Sequence, residues 1–220
     1  MNSRPIHDRS ELMRIRITFS KSDAIRYIGH LDLFRSWERT FRRSNLPLAY
    51  SLGFHPQPRL NLACALPLGF TSECEIIDAW LESPLPLDQI RQSLEAALPP
   101  GLAILDLENI DIHAPALQTQ VTSAIYSIIL LDHTPDLDVR IHKILSAANL
   151  LRQRRGRSYD LRPLIEDLIL LPSIDAGNDR LRVQLAAREA ATGRPEELLE
   201  ELGVKFEDTR VHREKLIFHS

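Results

Sequence analysis

The chain has 220 residues, 44% hydrophobic and 26% charged, with a formal net charge of −3. Those proportions exclude a disordered or fibrous protein and leave length for one large domain or two small ones. No apolar run reaches the ~20 residues that a membrane-spanning helix needs, and the polar start Met1–Arg9 lacks the apolar stretch of a signal peptide, so a cytoplasmic location is expected.

Arg14–Phe19 alternates polar and apolar residues, the period of a half-buried strand. His30–Ser44 predicts a helix, Asn61–Leu66 and Glu75–Leu81 two strands around a Pro-Leu-Gly turn, Leu87–Leu98 a second helix, and Leu102–Leu107 a strand behind Pro99-Pro100-Gly101. After a linker at 112–120 the same order recurs. Ala124–Leu131 reads as a strand, Leu137–Ala148 as a helix, and Ser158–Leu171 contains a strand. Leu181–Ala187 alternates, Pro195–Leu202 is a short helix opened by proline, and Val204–Phe218 is extended. Leu150–Arg157 fits either a continued helix or the start of a strand. The expected fold class is therefore α+β: two tandem ferredoxin-like β-α-β-β-α-β units with antiparallel sheets, over 1–111 and 121–220. The duplication is one of pattern, since no residue-level repeat is visible.

The net charge hides a segregation. Residues 1–60 hold 11 Lys/Arg against 5 Asp/Glu, 61–111 hold 1 against 9, and 112–220 hold 15 against 16. Much of the basic excess lies on the first predicted helix. At 100° per residue Leu33, Phe34, Trp37 and Phe41 share one face, and Arg35, Arg39, Arg42 and Arg43 share the opposite one. Asp32–Arg35 and Glu38–Arg42 have the spacing of helical ion pairs, but two acids cannot neutralise four arginines. Arginine at all four places suits planar recognition of phosphate. The plainer reading is a solvated surface.

Next comes Tyr50-Ser-Leu-Gly-Phe-His-Pro-Gln-Pro-Arg59, whose prolines and Gly53 prescribe a rigid loop offering Tyr50 or Phe54 for stacking. Arg152, Arg154, Arg155 and Arg157 form a second cluster around Gly156, followed by Tyr159, Asp160 and Arg162. An arginine-rich turn beside an aromatic suits a nucleic-acid backbone with one base on the ring; a solvated hairpin tip is the plainer reading. On a strand Asp160 and Arg162 would share a face, as a fixed pair or with Asp160 orienting an arginine from elsewhere.

His30 beside Asp32 and His55 in the loop are the candidate catalytic groups, able to act as general acid or base, with Arg26 or Arg59 stabilising a developing anion. Neither histidine has a metal-ligand spacing with Cys64 or Cys74, so no metal site is expected. Both cysteines read as buried free thiols. No Walker loop, dinucleotide-binding glycine pattern or nucleophile elbow occurs.

Tyr27-Ile-Gly-His-Leu-Asp-Leu33, Leu46-Pro-Leu-Ala-Tyr-Ser-Leu-Gly-Phe-His-Pro56, Leu66-Pro-Leu-Gly69 and Asp160-Leu-Arg-Pro-Leu164 together resemble the radical-SAM-linked bacterial family, a domain of unknown function. The resemblance implies a radical SAM protein as partner, fused to this chain or encoded beside it. Two cysteines are too few for the three that hold a radical SAM iron–sulfur cluster, so the cluster and S-adenosylmethionine are expected only in the partner. Three readings result. The first is an accessory RNA-binding module presenting tRNA or rRNA to the radical SAM enzyme. The contacts would come from Arg26, Arg35, Arg39, Arg42, Arg43, Tyr50, Phe54, His55, Arg59, Arg154, Arg155, Arg157, Tyr159 and Arg162, with Asp32, Gly53 and Asp160 orienting them. The second is an RNA-processing or RNA-modifying enzyme using His30 or His55. The third is a docking partner without RNA contact, meeting a basic surface through the acidic segment Glu73–Asp111.

Overall fold

The computed structural model describes residues 12–172, 178–188 and 190–219. Contacts divide the chain into two units, residues 1–68 with 74–118, and residues 69–73 with 119–220. The short segment 69–73 thus groups with the second unit.

In the first unit β1 (Met13–Lys21) leads through a short turn at Asp23–Ile25 into α1 (His30–Arg43). β2 (Leu60–Leu62), β3 (Thr71–Leu81), α2 (Leu87–Glu95) and β4 (Leu102–Ile110) follow. The strands lie in the order β4-β1-β3-β2. Along β1 the odd-numbered Met13, Ile15, Ile17 and Phe19 are buried, and they share one core with Leu33, Trp37 and Phe41 of α1 and Ile90 and Leu94 of α2. Phe19 meets Trp37 edge-on at 4.9 Å, the arrangement that aromatic quadrupoles favour. A bulge between Thr18 and Phe19 lets β1 stay paired with β4. Two expected elements are shorter than predicted. β2 stops at Leu62 instead of Leu66, and α2 stops at Glu95, ahead of Pro99-Pro100.

The predicted linker is not wholly irregular, because Leu117–Gln120 forms one helical turn, α3. The second unit then runs β5 (Val121–Leu130), α4 (Leu137–Ser146), β6 (Leu151–Arg154), β7 (Arg157–Asp160), β8 (Ile165–Leu171), β9 (Arg180–Arg188), β10 (Ala191–Thr192), α5 (Pro195–Leu202) and β11 (Thr209–Phe218). β9 pairs with β8, β10 and β5, and β5 pairs with β11, all antiparallel. Within this unit too, Thr71 and Ser72, which lie in the exchanged segment 69–73 and open the strand β3, pair in parallel with His212 and Arg213. The ambiguous stretch 150–157 is neither a helix nor part of this sheet. It is the first arm of a separate two-stranded hairpin, β6–β7, between α4 and β8. α5 starts at Pro195 and stops at Gly203, where φ is +71°; a proline in the first turn and a left-handed glycine after the last are the local signals that bound a helix. Phe70 stacks on Phe206 at 5.5 Å, and a side chain on Gly69 (φ +85°) would run into that ring.

Candidate functional site

In the first unit the geometry of α1 follows from its core face. Leu33, Trp37, Thr40 and Phe41 are buried, so the arginines point outward. Arg35 pairs with Asp32 at 3.3 Å, both largely exposed. Arg43 donates to the Ala97 carbonyl at 2.6 Å. Arg39 and Arg42 are exposed and make no ion pair among the described residues, so the expected Glu38–Arg42 pair does not form. Arg42 and Arg43 also stand in the last turn, where a cation offsets the partial negative charge of the helix end.

The loop 50–59 is a narrow ribbon. Ala49 N–H donates to Trp80 O at 2.7 Å, Arg59 N–H to Ala49 O at 2.9 Å and Ser51 N–H to Gln57 O at 2.8 Å, with Tyr50 opposite Pro58. The Ser51 hydroxyl accepts from Gln57 N–H at 2.9 Å. Gly53 turns the tip at φ +132°, a conformation that favours glycine. The tip carries Leu52, 96% exposed, and Phe54, 102% exposed, with His55 also exposed and Tyr50 at 45%.

The face of β1 turned away from the helices holds a charge cluster that sequence reasoning missed. Arg14 Nη2 meets Asp78 Oδ2 at 2.6 Å and Arg16 Nε meets Asp78 Oδ1 at 2.8 Å. Arg14 also donates to the carbonyls of Ala114 and Pro115. The hydrogen bond from Arg16 to Asp78 holds the Arg16 pKa above its ordinary value against the opposing effect of burial. Arg14 and Arg59 both lie over the Trp80 ring, at 4.8 and 4.9 Å. The signal in the sequence was one Asp within the apolar stretch Ile76–Leu81, where an unpaired carboxylate would be costly. Arg26 is similarly engaged, bound to Asp23 at 3.0 Å and lying 5.6 Å over Tyr27, while its carbonyl accepts from the buried Lys21 Nζ.

His30, the first residue of α1, is half-buried and borders an open cleft of about 240 Å³ with Phe34, Asn61, Leu62, Cys64 and Gln118. Cys64 and Cys74 form no disulfide among the described residues and are half-exposed, not buried as expected. Among the described residues no cluster of three His, Cys, Asp or Glu could hold a metal ion.

In the second unit the hairpin sorts its arginines into two kinds. Arg154 donates to Glu197 at 2.7 Å, to the Thr192 carbonyl and to the Tyr159 hydroxyl at 3.3 Å, and its guanidinium lies 4.6 Å over the Tyr159 ring. Burial opposes the charge on Arg154, but Glu197 outweighs it and raises its pKa. Burial and Glu197 together push Tyr159 upward. Arg152 pairs with Glu200 and Glu201. Arg155 and Gly156 both have positive φ, at +52° and +76°, the requirement of a two-residue hairpin turn. Arg155 and Arg157 beside that turn are exposed, with no ion pair among the described residues.

β7 ends at Asp160, and Arg162 opens a short turn at Arg162–Leu164. The expected pairing of their side chains on one strand face is therefore absent. Asp160 Oδ1 accepts the backbone N–H groups of Leu150 at 2.7 Å and Arg162 at 3.0 Å, and the Arg162 guanidinium donates to the carbonyls of Leu145 and Ile165. This stretch of the resemblance works as a backbone clamp that seats the hairpin.

The model of an uncharacterized protein family conserved in bacteria, DUF2344, matches residues 14–195. That description mentions no radical SAM protein. No curated protein matches the sequence. Among solved structures, the chain is similar to one in the crystal structure of a Cbf5-Nop10-Gar1 complex, with TM-score 0.47, 10% identity, and coverage of 97% of this chain and 51% of that one. The archaeal box H/ACA sRNP Nop10-Cbf5 complex gives TM-score 0.44, 12% identity, and coverage of 98% and 51%. The H/ACA RNP bound to a substrate RNA containing 2′-deoxyuridine gives 0.43, 11%, 90% and 47%. The chain spans about half the length of these relatives, and likeness at this level says nothing about activity.

Proposed function

Because the chain belongs to DUF2344, a bacterial family whose description carries no activity, we propose a function from its own side chains: it is an accessory module that binds RNA in single-stranded form. The observation that carries this reading is the pair Arg39 and Arg42 on α1, exposed and without ion pairs among the described residues, in the same unit as a ribbon whose Phe54 tip is 102% exposed. Uncompensated arginine attracts phosphate, and an exposed ring gives an unpaired base a stacking surface. Arg155 and Arg157 at the hairpin tip supply a second exposed basic point in the other unit. The matching strand orders, β4-β1-β3-β2 and β11-β5-β9-β8, support reading both units as ferredoxin-like. A radical SAM enzyme as recipient of the RNA rests on the resemblance alone, and tRNA or rRNA as cargo belongs to the same proposal.

Filter binding of a short single-stranded RNA across a salt series tests the reading. Affinity should fall with salt, with log–log slope ≈ −0.7 for each phosphate contacted. The double variant Arg39→Ala with Arg42→Ala should flatten that slope by about 1.4, and Phe54→Ala should weaken binding at every salt concentration. Absent affinity at low salt, or affinity indifferent to salt, would sink the proposal.

A further inference from the structure

We propose that the cleft at the start of α1 is a pocket for one unpaired nucleobase; this rests on the RNA reading above and gives it a point of base selection. The cleft measures about 240 Å³, below the ~300–1,000 Å³ of sites for drug-sized ligands and enough for about eight waters at ~30 Å³ each. Its occupant is thus a single small ring system. Among the described residues no Lys or Arg borders it, so it suits a neutral heterocycle better than a phosphate.

The walls offer what a base requires. His30 and Phe34 are four residues apart on α1 and place two rings along one side. Opposite them runs β2, which among the described strands pairs with β3 alone. Trp80 N–H donates to Arg59 O and Ala63 N–H donates to Ile76 O. These bonds make 59, 61 and 63 the bonded positions of the antiparallel ladder, so Leu62 turns its N–H and C=O away from β3. A donor and acceptor without partners among the described residues, side by side on a strand edge, match the hydrogen-bonding edge of a base. Asn61 and Gln118, which also border the cleft, have side-chain amides without hydrogen bonds among the described residues. Each amide adds one acceptor and two donors. Cys64 lines the same cleft and reports on its occupancy.

The test uses the full chain with free adenosine, guanosine, cytidine and uridine, and separately a short RNA and its copies carrying single abasic positions. Occupancy should slow alkylation of Cys64, read by peptide mass, for one nucleoside more than the others. One abasic position should weaken RNA binding roughly 5- to 150-fold. Asn61→Ala and Gln118→Ala should change the base preference while leaving the salt slope intact. If RNA binds with its salt dependence but no nucleoside protects Cys64 and neither amide variant alters base preference, the pocket is refuted and the RNA reading stands. If a nucleoside protects Cys64 and RNA shows no affinity, the pocket stands as a nucleoside site and the RNA reading falls.

Discussion

Arg14 and Asp78 meet at 2.6 Å with 2% and 0% of their side chains exposed, and Arg16 shares the same carboxylate. The two arginines stand on β1 and the acid on β3, so one buried group ties neighbouring strands of the first unit together. Removing Asp78 would strand a buried guanidinium. Asp78→Ala should cost about 3–5 kcal/mol in urea unfolding, the range for breaking a buried ion pair. A loss below ~1 kcal/mol would show that water compensates Arg14. Arg16→Met, at a side chain that is 17% exposed, should cost less than the loss of Asp78.

In the second unit Glu196 stands in the first turn of α5 with Oε2 buried and without a hydrogen bond among the described residues. Burial raises its pKa above the ordinary glutamate value. The folded state therefore holds this proton more tightly than the unfolded chain. Stability from this group is full below the unfolded pKa of ~4.3 and is lost as pH rises through the raised folded value. Glu196→Gln should raise stability at neutral pH, with the gain vanishing toward pH 4. Unfolding curves at several pH values check it, and an equal effect at all of them would contradict the assignment.

The hairpin arginines separate by role. Arg154→Ala removes the bonds to Glu197 and Thr192 and the contact with Tyr159, and should lower stability by about 1–3 kcal/mol. Arg155→Ala with Arg157→Ala should leave stability within ~0.5 kcal/mol, as surface changes do, while weakening RNA binding. Thermal melts and filter binding on the same samples distinguish the two.

Gly101 lies at φ +98°, and a Cβ there would sit 2.8 Å from Ile25 Cγ1. Its carbonyl accepts from Ser22 N–H at 2.9 Å, joining the starts of β4 and the turn after β1. Gly101→Ala combines backbone strain with a clash and should destabilise by about 1–3 kcal/mol. Gly156→Ala is the comparison: positive φ, at +76°, with open space around the site, so it should cost less.

The parts of the molecule that local chemistry controls were legible. The two faces of α1 come from a 3.6-residue period, and the bounds of α5 from Pro195 and Gly203. The hairpin was ambiguous because Leu150–Arg157 has no apolar period to separate helix from strand; what settles it is a pair of positive φ angles and the Asp160 clamp from outside the stretch. The cleft was invisible, since β2 is only three residues long and becomes a wall through its pairing with β3.

The sequence by itself determined where side chains point along its strongly periodic elements, such as β1 and α1, because those directions repeat with a period that a short stretch already contains. It placed Trp37 inward and Arg39 outward before any tertiary contact was known. Only the tertiary structure decided which charges are engaged. Arg154 is held by Glu197, 43 residues on, and Arg14 by Asp78, 64 residues on, whereas Arg39 and Arg42 meet no acid among the described residues. Ion pairing depends on distances across the fold, and spacing along the chain carries no record of them.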